Sequence, residues 1–282
     1  PARTFFQFPI RQARMNTINT KNYSTLLFNV DASIAQITLN RVESANSMNM
    51  AMGRELLDAA KHCEKDENIR TVILTGAGQF FSAGGDLKAF ANFGDAISEG
   101  LQELTDYLHA AVSIFIRMRA PVIVAVNGAA VGAGFSLAMA GDFVLAADNA
   151  KFAMAYTTAG LSPDGGASYF LPRLVGLRRA QELMIGNRKL SAVEALDWGL
   201  ITRVCSADTL MDETRELAQQ LASGATQAIG TVKKQLLVSF DNSPEAQMVF
   251  EGKAISHLAS CKDGQEGIQA FLNKRRPVFV GQ

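Results

Sequence analysis

The run Pro121-Val-Ile-Val-Ala-Val126, continued by Asn127-Gly-Ala-Ala-Val-Gly-Ala-Gly-Phe-Ser136, decides the fold. Five apolar residues bounded by Pro and Asn read as a strand buried on both faces, and the glycine-rich turn that follows opens a helix at 135–140. A buried strand that feeds a helix through small residues belongs to an α/β protein. Gly132, Ala133 and Gly134 let a ligand approach backbone N–H groups that have no intrahelical partner.

Working outward, Phe80-Phe-Ser-Ala-Gly-Gly-Asp-Leu87 is a second turn of the same kind, placed between a strand at 70–75 and a helix. Two N–H donors converging on one oxygen would stabilise a carbonyl that gains negative charge, as in the chemistry of a thioester enolate. Downstream, Leu161-Ser-Pro-Asp-Gly-Gly166 offers the lone carboxylate of Asp164. An acid at that place can also cap the helix that follows. Asp86 and Asp142 each follow a glycine at the edge of a turn or strand, where a carboxylate commonly ties down backbone N–H groups.

The rest of the chain repeats strand, strand, helix. A hairpin is expected over 26–30 and 34–39, helices over 49–64 and 97–118, and short strands over 143–146 and near 151–155. Helices are expected over 169–175 and 178–185, and Ser191-Ala-Val-Glu194 is a capping box that opens a helix ended by Gly199. A last strand is expected over 200–204, then helices over 209–222, 226–240, 244–260 and 264–273. The expectation is an extension over 1–22, an α/β core over 23–207 and a C-terminal helical region over 208–282 that contacts a neighbouring subunit.

Composition narrows the function. Twenty-seven basic residues balance twenty-seven acidic ones, so overall charge argues for neither nucleic acid nor a membrane surface. No apolar run reaches the roughly 18 residues of a spanning helix. Cys63, Cys205 and Cys261 are far apart and lack metal-type spacing, which points to a reducing compartment and to no metal site. Residues 1–22 carry Arg3, Arg11, Arg14 and Lys21 without an acid, as a tag, a targeting segment or upstream read-through would. The expected compartment is the cytoplasm, or the mitochondrial matrix or peroxisome if that segment is a transit peptide.

Two other chemistries fail on spacing. Gly132-Ala-Gly134 is followed by Leu137 where a dinucleotide fingerprint needs a third glycine. Ser136 falls inside its helix instead of at the entry turn of a nucleophile elbow, and His257 would have to be recruited from the tail.

Together the stretches at 39–41, 46–47, 81–87, 121–142, 160–166, 195–200 and 271–276 resemble the crotonase superfamily, the enoyl-CoA hydratase/isomerase fold, from about residue 22 to residue 279. The resemblance implies a spiral of ββα units with a C-terminal helical region, a trimer or dimer of trimers, and an acyl thioester of coenzyme A as substrate. Coenzyme A would enter as part of that substrate, with no covalently bound cofactor. The two oxyanion donors carry over to the N–H groups of Gly85 and Ala133. Ser82, Ala83, Asp86 and Leu87 match the adenine and pantetheine path, with Lys88 beside a phosphate or simply solvated. Phe271, Lys274 and Phe279 match the helix that covers the nucleotide.

Hydratases of this kind use two glutamates, and here Ser136 and Tyr156 stand in their places. Asp164 falls where epoxyphenylacetyl-CoA isomerases and chlorobenzoyl-CoA dehalogenases keep their sole carboxylate, and the local run is more similar to the isomerases. His109 falls near a dehalogenase histidine, while Leu108 and Tyr156 replace the tryptophans of those enzymes. His109 is read as a pocket-wall residue, buried and hydrogen-bonded by default. Acyl-CoA isomerisation is therefore expected, with hydration or hydrolysis through Asp164, or weakly catalytic binding of coenzyme A esters, as alternatives.

Overall fold

The computed structural model describes residues 21–282; the expectations for residues 1–20 lie outside them. The chain enters through the hairpin β1 (Leu26–Asp31) and β2 (Ile34–Leu39), turning at Ala32 and Ser33, both at positive φ. Helix α1 (Met50–Lys65) starts where the Asn49 side chain accepts the Met52 N–H. Then come β3 (Thr71–Gly76), β4 (Phe80–Ser82), α2 (Leu87–Ala91) and the long α3 (Ile97–Arg117). Next are β5 (Val122–Val126), β6 (Ala129–Val131) and α4 (Ala133–Ala138), then β7 (Phe143–Ala147) and β8 (Lys151–Ala153). Helices α5 (Ala167–Val175) and α6 (Leu177–Met184), β9 (Leu190–Ser191), α7 (Ala192–Asp197) and β10 (Arg203–Cys205) close the sheets. Four helices follow: α8 (Leu210–Ala222), α9 (Thr226–Val238), α10 (Pro244–Ser260) and α11 (Lys262–Leu272).

From β3 to β8, consecutive strands alternate between two sheets. One sheet has the order β1-β2-β3-β5-β7-β10 and the other β4-β6-β8-β9. Each turn of the spiral thus gives a strand to each sheet, and the expected ββα repeat is present. Strands β3, β5 and β7 read as continuous apolar runs because both faces are covered. Val72, Leu74, Val122, Val124 and Val144 face the main core with α1 and α3, while Ile73, Ile123, Ala125 and Leu145 face α8 through Leu210 and Ala218. Helix α8, counted by sequence with the C-terminal region, is therefore one wall of the core sheet.

Three expectations need correction. The helix after Gly132 begins two residues earlier than 135, at Ala133, because Gly132 (φ 51°, ψ −123°) makes the turn on its own. Residues 129–131, read as turn, form β6 because β4 and β8 pair with them on either side. The strand expected over 200–204 is confined to Arg203–Cys205, since the Leu200 and Ile201 N–H groups turn back to the Ala195 carbonyl and finish α7.

Helix α9 is fastened to the core by one buried cation. The Lys233 ammonium lies 2.7 Å from Asp142 Oδ2 and donates to the carbonyls of Phe115 and Ala120 at 2.9 and 3.1 Å. Asp142 also accepts the Val122 N–H, which confirms the structural role expected of it. Burial pushes the Asp142 carboxyl up and the Lys233 ammonium down, each toward its neutral form.

Candidate active site

Strands β4 and β6 are parallel neighbours, with Phe80 opposite Ala129, so their carboxyl ends reach the same edge and the turns beyond them meet. The meeting requires glycine. A Cβ on Gly84 (φ 93°) would stand 2.7 Å from the Val131 carbonyl oxygen, and one on Gly134 would stand 2.6 Å from Ser82 Cβ.

Backbone direction explains why Gly85 offers its amide. Met48 N–H donates to Gly84 O, and Asp86 N–H donates to Met48 O. In extended backbone the groups of the residue between point the opposite way, so the Gly85 N–H faces away from Met48. Ala133 is the first residue of α4, and its N–H has no partner inside that helix. Neither amide donates to a protein acceptor among the described residues.

The turn carrying Gly85 is braced from behind. Ser82 is fully buried and donates to Asn46 O, while its Oγ accepts the Gly84 N–H. Asp86 caps α2 through the Ala89 N–H and pairs with Arg41 at 2.9 Å. Burial pushes the Asp86 carboxyl up, but the Ala89 amide and the Arg41 guanidinium outweigh it and hold the group below the usual carboxylate range. Of the side chains matched to the coenzyme A path, Ser82 and Asp86 thus spend their polar atoms on the turn itself.

A cavity of about 370 Å³ opens at this edge. Ala83, Gly85, Leu87, Leu108, Ala133, Tyr156 and Asp164 line it, all of them residues singled out by sequence. Its apolar wall also includes Met48, Phe90, Leu101, Leu104 and Leu161. Of these, Leu101, Leu104 and Leu108 form a stripe at helical spacing on α3, a signal that periodicity carries but that equally marks an ordinary core face. Met48, Thr158 and Ser162 were not anticipated; they belong to irregular segments with no periodic signal.

Asp164 is the one carboxylate among the lining residues. The capping role open to it is not used: the N-cap of α5 is Gly166, without a side-chain bond. Gly165 and Gly166, at φ 62° and 82°, turn the segment so that Asp164 meets Tyr156 and His109. A Cβ on Gly165 would stand 2.9 Å from Ser136 Cβ.

The Tyr156 hydroxyl donates to Asp164 Oδ1 at 2.5 Å and lies 2.9 Å from the fully buried Ser136 hydroxyl. Because the phenol proton goes to Asp164, Ser136 is the donor in the second contact. Burial, the Asp164 charge and that hydrogen bond all push the phenol above its ordinary value, so Tyr156 stays a neutral donor.

His109 corrects the expectation of a buried histidine: its side chain is 47% exposed. It lines a second cavity of about 430 Å³ with Gly165, Tyr169 and Phe170. Its Nε2 accepts the Gly165 N–H at 3.1 Å and lies 3.5 Å from Asp164 Oδ2.

The remaining candidates lie apart. Lys88 is exposed on α2. Phe271 is 84% exposed, Lys274 is exposed and Phe279 is half-buried, and none of the three lines the cavity of a single chain. His257 lies beside Cys261 and not beside Ser136. Among the described residues no cluster of three His, Cys, Asp or Glu side chains is placed to hold a metal, and no helix is long and apolar enough to cross a membrane.

Comparison with known proteins identifies the family. Residues 29–282 match the family model described as enoyl-CoA hydratase/isomerase. The chain belongs to that family. It is therefore a member of the crotonase superfamily, as its motifs led us to expect. Over 259 residues it is 38% identical to the 1,2-epoxyphenylacetyl-CoA isomerase of Escherichia coli K12, covering 91% of this chain and 98% of that one. It is also 38% identical to the carnitinyl-CoA dehydratase of Citrobacter koseri, over 92% of this chain and 99% of the relative. The crystal structure of an enoyl-CoA hydratase from Polaromonas sp. JS666 superposes with a TM-score of 0.86 at 35% identity, covering 90% and 99% of the two chains. Family members similar to this chain thus carry names of isomerases, dehydratases and hydratases, and the side chains of the site must distinguish among them.

Proposed function

We propose that this protein is an acyl-CoA isomerase that moves a proton along the acyl chain of a coenzyme A thioester. The observation that carries the reading is the single carboxylate, Asp164, in a cavity that also presents the Gly85 and Ala133 amides. Adding or removing water benefits from two acid-base groups, whereas one base that reaches two carbons suffices for a proton shift. Ser136 and Tyr156 occupy the two positions where the resemblance places the glutamates of hydratases.

In this reading the thioester carbonyl lies between the two amides. Asp164 takes a proton from the carbon next to the carbonyl, the oxygen gains negative charge, and the amides receive it. One such donor is worth about 2.7–4 kcal/mol in the transition state. The carboxylic acid then returns a proton two carbons further on. Apolar side chains from α3 and from Leu161 keep water from quenching the enolate. The homotrimer or dimer of trimers implied by the resemblance belongs to this proposal, with Phe271, Lys274 and Phe279 serving a neighbour's nucleotide.

The test is proton exchange followed by mass spectrometry in deuterated water, using 3-enoyl-CoA and phenylacetyl-type esters. Deuterium uptake with double-bond migration is expected, and Asp164→Asn should abolish both while leaving ester binding intact. Near-normal turnover in that variant would sink the assignment. One contact favours a second reading: His109 Nε2 is 3.5 Å from Asp164 Oδ2, close enough for the pair to serve hydrolysis. Release of free coenzyme A without uptake would select it, and binding with neither would leave a coenzyme A ester binding subunit.

A further inference from the structure

The two oxygens of Asp164 have different surroundings. Oδ1 is engaged by the Tyr156 hydroxyl at 2.5 Å, and that phenol is in turn held by Ser136. Oδ2 has no protein donor of that kind. Its near neighbour is His109 Nε2 at 3.5 Å, and this nitrogen accepts the Gly165 N–H. A nitrogen that accepts an N–H carries a lone pair and no proton, so the neutral imidazole has its hydrogen on Nδ1. Oδ2 is thus the oxygen free to take a proton, and it would take it beside an unprotonated nitrogen.

The position of His109 supplies the other half. Asp164 is 23% exposed and lines the first cavity, whereas His109 is 47% exposed and lines the second. Leu108 and Asp164 line the first cavity, and their chain neighbours His109 and Gly165 line the second.

We propose that His109 connects Asp164 to solvent through the second cavity, so that the proton removed from the substrate exchanges with water before a proton is returned. The inference rests on the isomerase reading and specifies how its proton is handled. The steps balance. The substrate C–H proton passes to Asp164 Oδ2, leaving the enolate. The Oδ2–H bond then breaks as the proton moves to His109 Nε2, which releases the Gly165 N–H and forms an imidazolium beside a carboxylate. The imidazolium protons exchange with water in the second cavity. A solvent proton returns from Nε2 to Oδ2 and on to the product carbon, and the imidazole takes back the Gly165 N–H. His109 acts through Asp164 and does not touch the substrate.

Label retention tests this directly. The probe is a 3-hexenoyl-CoA carrying two deuterium atoms on the carbon next to the carbonyl, converted in ordinary water and weighed as the 2-enoyl product. Internal transfer of the abstracted deuteron leaves two deuterium atoms in the product; exchange through His109 leaves one. Wild type is expected to give mainly the singly labelled product. The variant His109→Gln keeps an oxygen to accept the Gly165 N–H but cannot carry a proton as imidazole does. It should raise the share of doubly labelled molecules in the product that forms roughly fivefold or more. His109→Asn, with a shorter reach to Gly165, should show the same gain in retention. Isomerisation with equal retention in wild type and His109→Gln would overturn the relay alone, as would full retention in wild type. No isomerisation by wild type would overturn the parent reading and the relay with it.

Discussion

Replacing Lys233 by Met should destabilise the protein by about 3–5 kcal/mol, the cost of stranding one member of a buried ion pair. Methionine fills most of the space of the lysine stem, so the cavity contribution is small. What is lost is the charge 2.7 Å from Asp142 Oδ2 and the donors to the Phe115 and Ala120 carbonyls. Asp142 then keeps only the Val122 N–H at 2.7 Å. Burial already pushes its carboxyl above the ordinary range with Lys233 in place, and without the lysine it must rise further. A carboxyl whose folded-state value exceeds its unfolded value favours folding in its protonated form. The deficit of the variant is therefore smallest in acid and grows as pH rises through that folded-state value. The double variant Asp142→Asn/Lys233→Met keeps an acceptor for Val122 and removes the stranded charge, so it should recover about 1–2 kcal/mol of the loss and flatten the pH dependence. Urea unfolding followed by circular dichroism between about pH 5 and pH 8 reads all three quantities. A single variant within about 1 kcal/mol of wild type, or a deficit that grows on acidification, would refute the argument.

Gly132→Ala tests the donor turn. Its Cβ would meet the Met154 carbonyl oxygen no closer than 3.6 Å, so the cost comes from φ 51°, ψ −123° and not from a clash. About 1–3 kcal/mol of strain is expected, and any relaxation of the turn moves the Ala133 N–H, so kcat should fall by roughly 10²-fold if that amide is an oxyanion donor; an unchanged kcat would remove it from the mechanism. Asp86 makes a prediction in the acid range. Its carboxyl is held below the ordinary value, so its contribution to stability is present above the unfolded value near ~4 and is lost as pH falls through the lower folded value. Arg41→Gln should weaken that contribution, reducing the difference in unfolding free energy between neutral pH and about pH 3, and an unchanged acid profile would show the Ala89 amide sufficient by itself.

How much of this was legible in sequence depends on how far away each residue's partner lies. The hairpin, α1 and α10 were readable because their signals are local: alternation, an Asn N-cap and a Ser-Pro start. The two glycine-rich turns were readable for the same reason, since small residues at the end of a strand expose their own backbone, whereas the choice of Gly85 and Ala133 within them came from the family resemblance. Strand β6 was not, because Ala129-Ala-Val131 has little β preference of its own and is a strand only between β4 and β8. His109 shows the limit more sharply. Its place on α3 follows from helical period, but its acceptor role depends on Gly165, 56 residues away, and its exposure on how α5 and α9 stand beside α3. Tyr156 and Asp164 are the instructive intermediate case. Only eight residues separate them, and the Gly160 and Gly165-Gly166 turns leave that segment little choice but to fold back on itself. A phenol and a lone carboxylate on opposite arms of one glycine-hinged loop form a pairing that the sequence carried, and treating Tyr156 as an absent glutamate or tryptophan concealed it. In the proposed isomerase, Tyr156 stands where the resemblance places a hydratase glutamate and donates to Asp164 Oδ1, so that Oδ2 is the oxygen left to receive the proton.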